Sequence, residues 1–195
     1  ALAGPLWGTG IHEARLLATI VADPQAMRRA DIERWLRDVV SWDLCDHLCG
    51  NLVRHRADAT DLVCRWIRNP ALYTRRAAFA LIAELAVHDA SIDQATLDQF
   101  TDLIVAHCAD SRPHARQPPW WALRSMGKRD AAGHERALAA AAELVEDSNK
   151  AKQWVGRDVM RELESLIKVR ERKRLLTSKS RTGTKQLLRN RTKQA

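Results

Sequence analysis

Residues 75–89 read RRAAFALIAELAVHD. Within Ala77–Val87 the apolar positions recur at three-to-four spacing, which is the period of one helical face. Nothing in the stretch alternates with period two. The same spacing returns in Ile11–Val21, Trp42–Val53, Leu97–Ala109, Ala137–Val145 and Trp154–Ile167. Ala, Leu, Arg and Glu dominate throughout, and all four favour helix. Breaks fall between the segments. Asp23-Pro24 ends the first helix and Asn69-Pro70 ends another. Ser91 and Ser148 are expected caps, and Gly127 sits near a helix end. The pattern predicts nine or ten short helices and no sheet.

Similar Ala/Leu/Arg-rich helices start near Glu13, Trp42, Arg75, Trp120 and Gly156, at steps of 29, 33, 45 and 36 residues. Irregular spacing of that size is what a stack of helical pairs produces, as in HEAT repeats. An ordinary helical bundle is the other architecture compatible with it. In a solenoid every second helix lines a concave face. The basic segments Arg54–Arg56, Arg65–Arg68, Arg75–Arg76 and Lys128–Arg129 would then surround one groove.

The chain has 195 residues, 46% of them apolar and 29% charged, with a formal charge of +8. That is enough chain to bury a core as one domain. No run of 18 apolar residues occurs, so a transmembrane helix is not expected. No signal-peptide pattern opens the sequence, and ALAGPLWGTG reads as an entry in mid-domain. Charge is uneven. Residues 168–195 hold 11 Lys+Arg against Glu171 alone, a net of +10, whereas residues 1–167 hold 21 against 23, a net of −2. The expected division is a helical domain over 1–174 and a basic, flexible tail over 175–195. Such a tail either holds phosphate backbones without reading sequence or is simply solvated.

Four cysteines, Cys45, Cys49, Cys64 and Cys108, point to reduced thiols and a cytoplasmic setting. Cys45 and Cys49 share a helix face, but a closed zinc site needs four ligands and no paired C-x-x-C is present. Buried structural thiols are expected instead. The seven histidines form no pair with a Ser or Cys nucleophile, and neither G-x-S-x-G nor a Gly-rich phosphate loop occurs.

Seven tryptophans stand against one tyrosine and two phenylalanines. Trp7, Trp35 and Trp66 read as core. In Ser41-Trp42-Asp43-Leu44-Cys45-Asp46, Trp42 and Asp46 lie four apart, on one helix face. Ser41 is an expected N-cap, and Asp43 near the helix start suits the dipole. Asp46 has no such local explanation. A carboxylate beside an indole on an otherwise buried helix requires a partner or a purpose.

These residues carry a resemblance. LWGTGIHEARLLATIVADP (6–24), SWDLCDHLCGNL (41–52), RRAAFALIAELAVHD (75–89), WALRSMGKRD (121–130) and WVGRDVMRELES (154–165) stand in the order seen in the DNA alkylation repair family of AlkD-type glycosylases. The chain resembles that family from Leu6 to Arg174. The resemblance implies an all-α, HEAT-like helical-repeat solenoid with a concave DNA-binding face. It implies hydrolysis of the N-glycosidic bond of cationic N3- or N7-alkylated purines in duplex DNA, with no need to flip the base. The family's W-x-x-x-D falls on Trp42 and catalytic Asp46, and its second tryptophan on Trp121. Its phosphate-holding arginine falls on Arg76, with Arg75 beside it, and Lys128 and Arg129 are expected to bind DNA as well. Duplex DNA containing alkylated purines is the expected partner of a monomer, with no membrane, no obligatory protein partner, no metal and no cofactor. A non-catalytic DNA-binding paralogue or scaffold is the alternative.

Two departures accompany the resemblance. The family carries further helices ahead of the Leu6 block, so one end of the groove is expected to be missing. Pro118-Pro119 interrupts the basic helix that leads into the second tryptophan. Either the helix starts at Pro119, which a first turn tolerates, or Trp121 is displaced.

Overall fold

The structure is a computed structural model and describes residues 2–112, 114–168, 172 and 174–191. Eleven α-helices occur among the described residues: α1 (Ala3–Gly8), α2 (His12–Val21), α3 (Arg29–Arg37), α4 (Trp42–His47), α5 (Ala59–Trp66), α6 (Leu72–His88), α7 (Gln94–His107), α8 (Gln117–Gly127), α9 (Ala131–Glu146), α10 (Lys150–Leu163) and α11 (Arg181–Arg191). The even-numbered helices touch in sequence, with α2 against α4, α4 against α6, α6 against α8 and α8 against α10. This row is the every-second-helix arrangement expected from the repeat spacing. The odd-numbered helices back it, with α1 on α2, α5 on α6 and α9 on α10.

Helix α6 is the hub of the row. Residues 76 to 83, with Leu85 and Ala86, are all buried. A helix that is apolar on every side belongs in an interior. Its alanines let α4, α5 and α8 approach closely. Cys45 and Cys49 point into it, and their thiols donate to the carbonyls of Tyr73 and Ala77, each at 3.4 Å. Both are buried free thiols, as is Cys108.

The segment expected to be one helix over 42–53 is not uniform. After α4 it becomes a π-helical turn, Leu48–Leu52, and then a 3-10 turn, Val53–His55. The wider turn needs an uncrowded position, and Gly50 supplies it. A Cβ there would stand 3.2 Å from the carboxyl carbon of Glu84 on α6. Such bulges often accompany functional sites, and this one begins immediately after Asp46-His47.

Two caps lie beside the serines expected to provide them. Asp93, not Ser91, caps α7 by accepting from the Thr96 N–H at 2.8 Å. Asn149, not Ser148, caps α10 by accepting from Ala151 and Lys152. An ionised or amide oxygen is at least as good an acceptor as a hydroxyl. Ser41 does occupy the N-cap of α4, but without a side-chain capping bond.

Pro118 and Pro119 lie within the first turn of α8, which starts at Gln117. Both prolines are buried. A first turn has N–H groups with no intrahelical partner, and burying them is costly. Prolines at these positions remove two of them. The unexpected pair therefore lets the start of α8 sit inside the protein.

The polypeptide after α10 is not structureless where it is described. Strand β1 (Leu166–Ile167) pairs antiparallel with β2 (Leu176–Thr177), and α11 follows. Among the described residues this two-residue pairing is the one departure from an all-α chain, and the stretch expected as a basic tail carries α11. Residues 192–195 of the expected tail lie outside the described residues. The Leu175 N–H donates to the Lys128 carbonyl at 3.0 Å, and Arg174 donates to the Ser125 carbonyl at 3.0 Å, so the segment is tied to the end of α8. No helix among the described residues is long and apolar enough to cross a membrane.

A close crossing joins α9 to α10. A Cβ on Gly156 would meet the Ala141 carbonyl oxygen at 2.6 Å and the Val145 nitrogen at 2.9 Å. Both are backbone atoms that cannot turn aside. Gly156→Ala is expected to lower stability by about 1–3 kcal/mol, despite alanine's better helix propensity. Chemical denaturation of both proteins, read by circular dichroism, checks this.

Candidate nucleic-acid interface and active site

Three consecutive members of the even-numbered row contribute to one cavity. Trp42 and Asp46 come from α4, Arg76 from α6, and Trp120 and Trp121 from α8. With His114, Gln117 and Pro118 they line a space of about 510 Å³. The structure thus brings Trp42, Asp46, Arg76 and Trp121 together. The proline pair does not displace Trp121. Trp120 lines the cavity as well, a role the sequence does not signal. Two adjacent indoles at a helix start carry no local sign of which one faces the site.

Asp46 finds its partner in Arg76. The guanidinium Nε donates to Oδ1 at 2.9 Å and one Nη donates to Oδ2 at 2.6 Å. The other Nη donates to the His114 carbonyl at 2.9 Å. Only 5% of the Arg76 side chain and 20% of the Asp46 side chain are exposed. Such a fork-on-fork pair fixes direction as well as distance. His114 adopts φ of 63°, a left-handed conformation that is uncommon outside glycine. That turn presents its carbonyl to the arginine.

Arg76, expected to hold a phosphate, is thus largely buried and bonded to the Asp46 carboxylate and the His114 carbonyl, which fixes the carboxylate in place. The other three residues expected to bind DNA are also engaged internally. Arg75 donates to the Asn69 carbonyl at 3.1 Å and to Asp110 at 3.2 Å. Lys128 is paired with Glu162, which also binds Arg124. Arg129 donates to the carbonyls of Ala86 and Asp89 at 3.1 and 2.8 Å. Arg56, expected at the groove, forks onto Asp58 and donates to the Pro24 and Met27 carbonyls. For Arg75, Lys128 and Arg129 the local sequence declares a cation but not its distant partner.

Burial pushes the Asp46 carboxyl above the usual aspartate range, against the hydrogen bonds and charge of Arg76 that favour its ionised form. Asp43, one turn earlier, is held below that range. Its burial is outweighed by the polar groups of Ser41 and the Leu44 backbone beside it and by His12, whose Nε2 lies 2.8 Å from Oδ2. The two carboxylates of this turn are therefore separated by environment. Asp43 is the outer, ordinary anion. Asp46 is the inner one, carried on an arginine.

Trp42 is 52% exposed, in contrast to Trp7, Trp35 and Trp66, which are buried as expected of core residues. Its ring also borders a second concavity of about 360 Å³, shared with Asp46, His47, Asn51 and Glu84. Trp42 therefore stands as a ridge between two hollows. An exposed indole of that size is costly to leave in water and is a ready contact for a ligand. The Arg76 guanidinium carbon lies 5.8 Å from its ring centroid, so the same arginine braces both the carboxylate and the indole. Arg116, just before α8, is exposed and held over the Trp154 ring at 4.2 Å. It is a cation near the cavity that no sequence motif singles out.

The comparisons with known proteins agree with this architecture. A solved structure from "a new family of proteins related to the HEAT-like repeat DNA glycosylases with affinity for branched DNA structures" superposes with a TM-score of 0.66. It is 21% identical, and the match covers 97% of this chain and 74% of that one. At that identity the likeness establishes a shared fold, an all-α HEAT-like helical-repeat architecture. No curated protein shows significant similarity. The model of the family described as DNA alkylation repair enzyme matches residues 1–163, the span that holds all of α1–α10 and every residue of the cavity. This chain belongs to the DNA alkylation repair enzyme family.

Proposed function

We propose that this chain is a DNA glycosylase that releases cationic N3- and N7-alkylated purines from duplex DNA, with no base flipping required. The observation that carries the reading is the Asp46 carboxylate, fixed by Arg76 at the edge of a cavity walled by three tryptophans. Alkylation at N3 or N7 gives the purine a positive charge and makes it a good leaving group. The bond between C1′ and the base nitrogen breaks, and its electron pair leaves with the purine. Positive charge develops on the deoxyribose. A preorganised carboxylate facing C1′ stabilises that charge, as in other glycosyl transfers. Water then adds to C1′, and its proton passes to Asp46 or to solvent. No metal or cofactor enters this scheme.

The aromatic groups fit the same chemistry. Trp42 and Trp121, joined by Trp120, offer π faces to the sugar and to a cationic base, and they exclude water from the reacting carbon. The cavity is open to solvent along the exposed Trp42 ridge, which suits a lesion approached within the duplex better than one swallowed by a closed pocket. Arg116, exposed and one residue before Gln117 of the cavity wall, is our candidate for holding a phosphate there. We assign that role to it in preference to Arg76.

The alternative is a DNA-binding protein of this family that has no catalytic step. The branched-DNA affinity ascribed to the structurally similar chain favours it. In that reading Asp46 and Arg76 are a structural pair.

Release of free 7-methylguanine and 3-methyladenine from methylated duplex DNA separates the two. Wild type is expected to release both. Asp46→Asn is expected to lose at least about 100-fold in rate while keeping its fold and most of its DNA affinity. Equal release by the variant removes Asp46 from the chemistry. No release by wild-type protein that still binds duplex establishes the binding reading.

The pH dependence follows from the carboxyl's environment. Catalysis needs the anion, and burial raises the pH at which the anion forms. The acid limb of single-turnover release is therefore expected above the ordinary aspartate value. In Arg76→Gln, removal of the cation is expected to move that limb further up. A limb unmoved by this substitution would show that Arg76 does not govern Asp46.

A further inference from the structure

The residues expected to hold DNA are tied to internal partners, and residues 1–167 carry a net of −2. A duplex-binding protein still needs a surface of net positive charge. One such surface lies in the segment after α10, beyond the residues matched by the family. Residues 174–191 contain six Lys+Arg and no acidic residue. Arg181, Lys185 and Arg189 are exposed and follow one another at i, i+4 and i+8 along α11. They form one stripe about 12 Å long.

That stripe is electrostatically unfavourable for the helix alone. Like charges at i, i+4 repel, as Arg181 and Lys185 do here. Arg181 also stands in the first turn, where the helix dipole disfavours a cation. An anion laid along the stripe relieves both. The helix is also held in place for such a contact. The Ser180 hydroxyl caps its start by accepting from the Gly183 N–H at 3.0 Å. The preceding segment is bonded to the Ser125 and Lys128 carbonyls of the α8 region, one to two turns beyond Trp121. The helix that carries two of the cavity's tryptophans thus also anchors the basic element.

We infer that α11 is a second DNA-binding element, whose Arg181–Lys185–Arg189 stripe engages the phosphate backbone of a duplex whether or not a lesion is present. This deepens the reading of the chain as a duplex-binding protein and does not depend on catalysis. An anionic membrane is the competing partner for a basic helix. Leu187 and Leu188 are the exposed large apolar side chains of α11, too small a face for interfacial insertion.

The test is the salt dependence of binding to an undamaged duplex, for wild type and for the triple variant Arg181→Gln, Lys185→Gln, Arg189→Gln in the full chain. The plot of log K against log salt is expected to become shallower by about 2–3, at roughly 0.9 for each phosphate that the variant no longer neutralises. The Arg181→Lys, Arg189→Lys variant keeps the charge and is expected to keep the slope. A triple variant with the wild-type slope overturns the proposal. So does wild-type binding to phosphatidylserine vesicles that requires the stripe while duplex affinity does not. Base release is scored separately at saturating enzyme, so failure of the glycosylase reading leaves this result interpretable.

Discussion

A carboxylate cannot sit in a largely apolar row of helices without a counter-charge. The Asp46–Arg76 fork meets that constraint. It joins α4 to α6, and through the His114 carbonyl it fixes the approach to α8. Removing either partner would strand a mostly buried charge, which commonly costs about 3–5 kcal/mol. The pair therefore does two things with the same bonds. It closes the central part of the solenoid, and it fixes the direction in which one carboxylate faces the cavity.

The fold was largely legible in the sequence, because its determinants are local. The three-to-four spacing, the breaks at Asp23-Pro24 and Asn69-Pro70, and the recurring helix starts led directly to the stacked pairs. The finer features depended on contacts between distant residues. The π turn after His47 sets Gly50 against Glu84, a residue of another helix. The proline pair made sense only once the start of α8 was seen to be buried. The sequence-based caps missed by one or two residues, because neighbouring polar side chains compete for the same N–H groups.

The site divides in the same way. Trp42 and Asp46 could be placed on one face from their spacing alone, and their exposure and burial fit a ligand-facing pair. The basic residues could not be assigned from sequence. Arg75, Arg76, Lys128 and Arg129 look alike in a string of letters, yet each is committed to a carboxylate or carbonyl some 30 to 40 residues away or on another helix. A net positive surface is visible in composition only where a stretch holds no acidic residue of its own, as in residues 174–191. The charge is divided accordingly, with a near-neutral body that shapes the cavity and a basic segment after it.

The central claim is that Asp46 stabilises positive charge developing on a deoxyribose. Its most direct test is affinity for a duplex in which one sugar is replaced by a cationic pyrrolidine, compared with the neutral tetrahydrofuran analogue. The account predicts that wild type prefers the cationic duplex by at least about tenfold, the 1.4 kcal/mol expected at minimum from one partly buried charge pair. Asp46→Asn should lose that preference while binding the neutral duplex as before. Equal affinity of wild type for the two duplexes, or a preference that survives in Asp46→Asn, would contradict it.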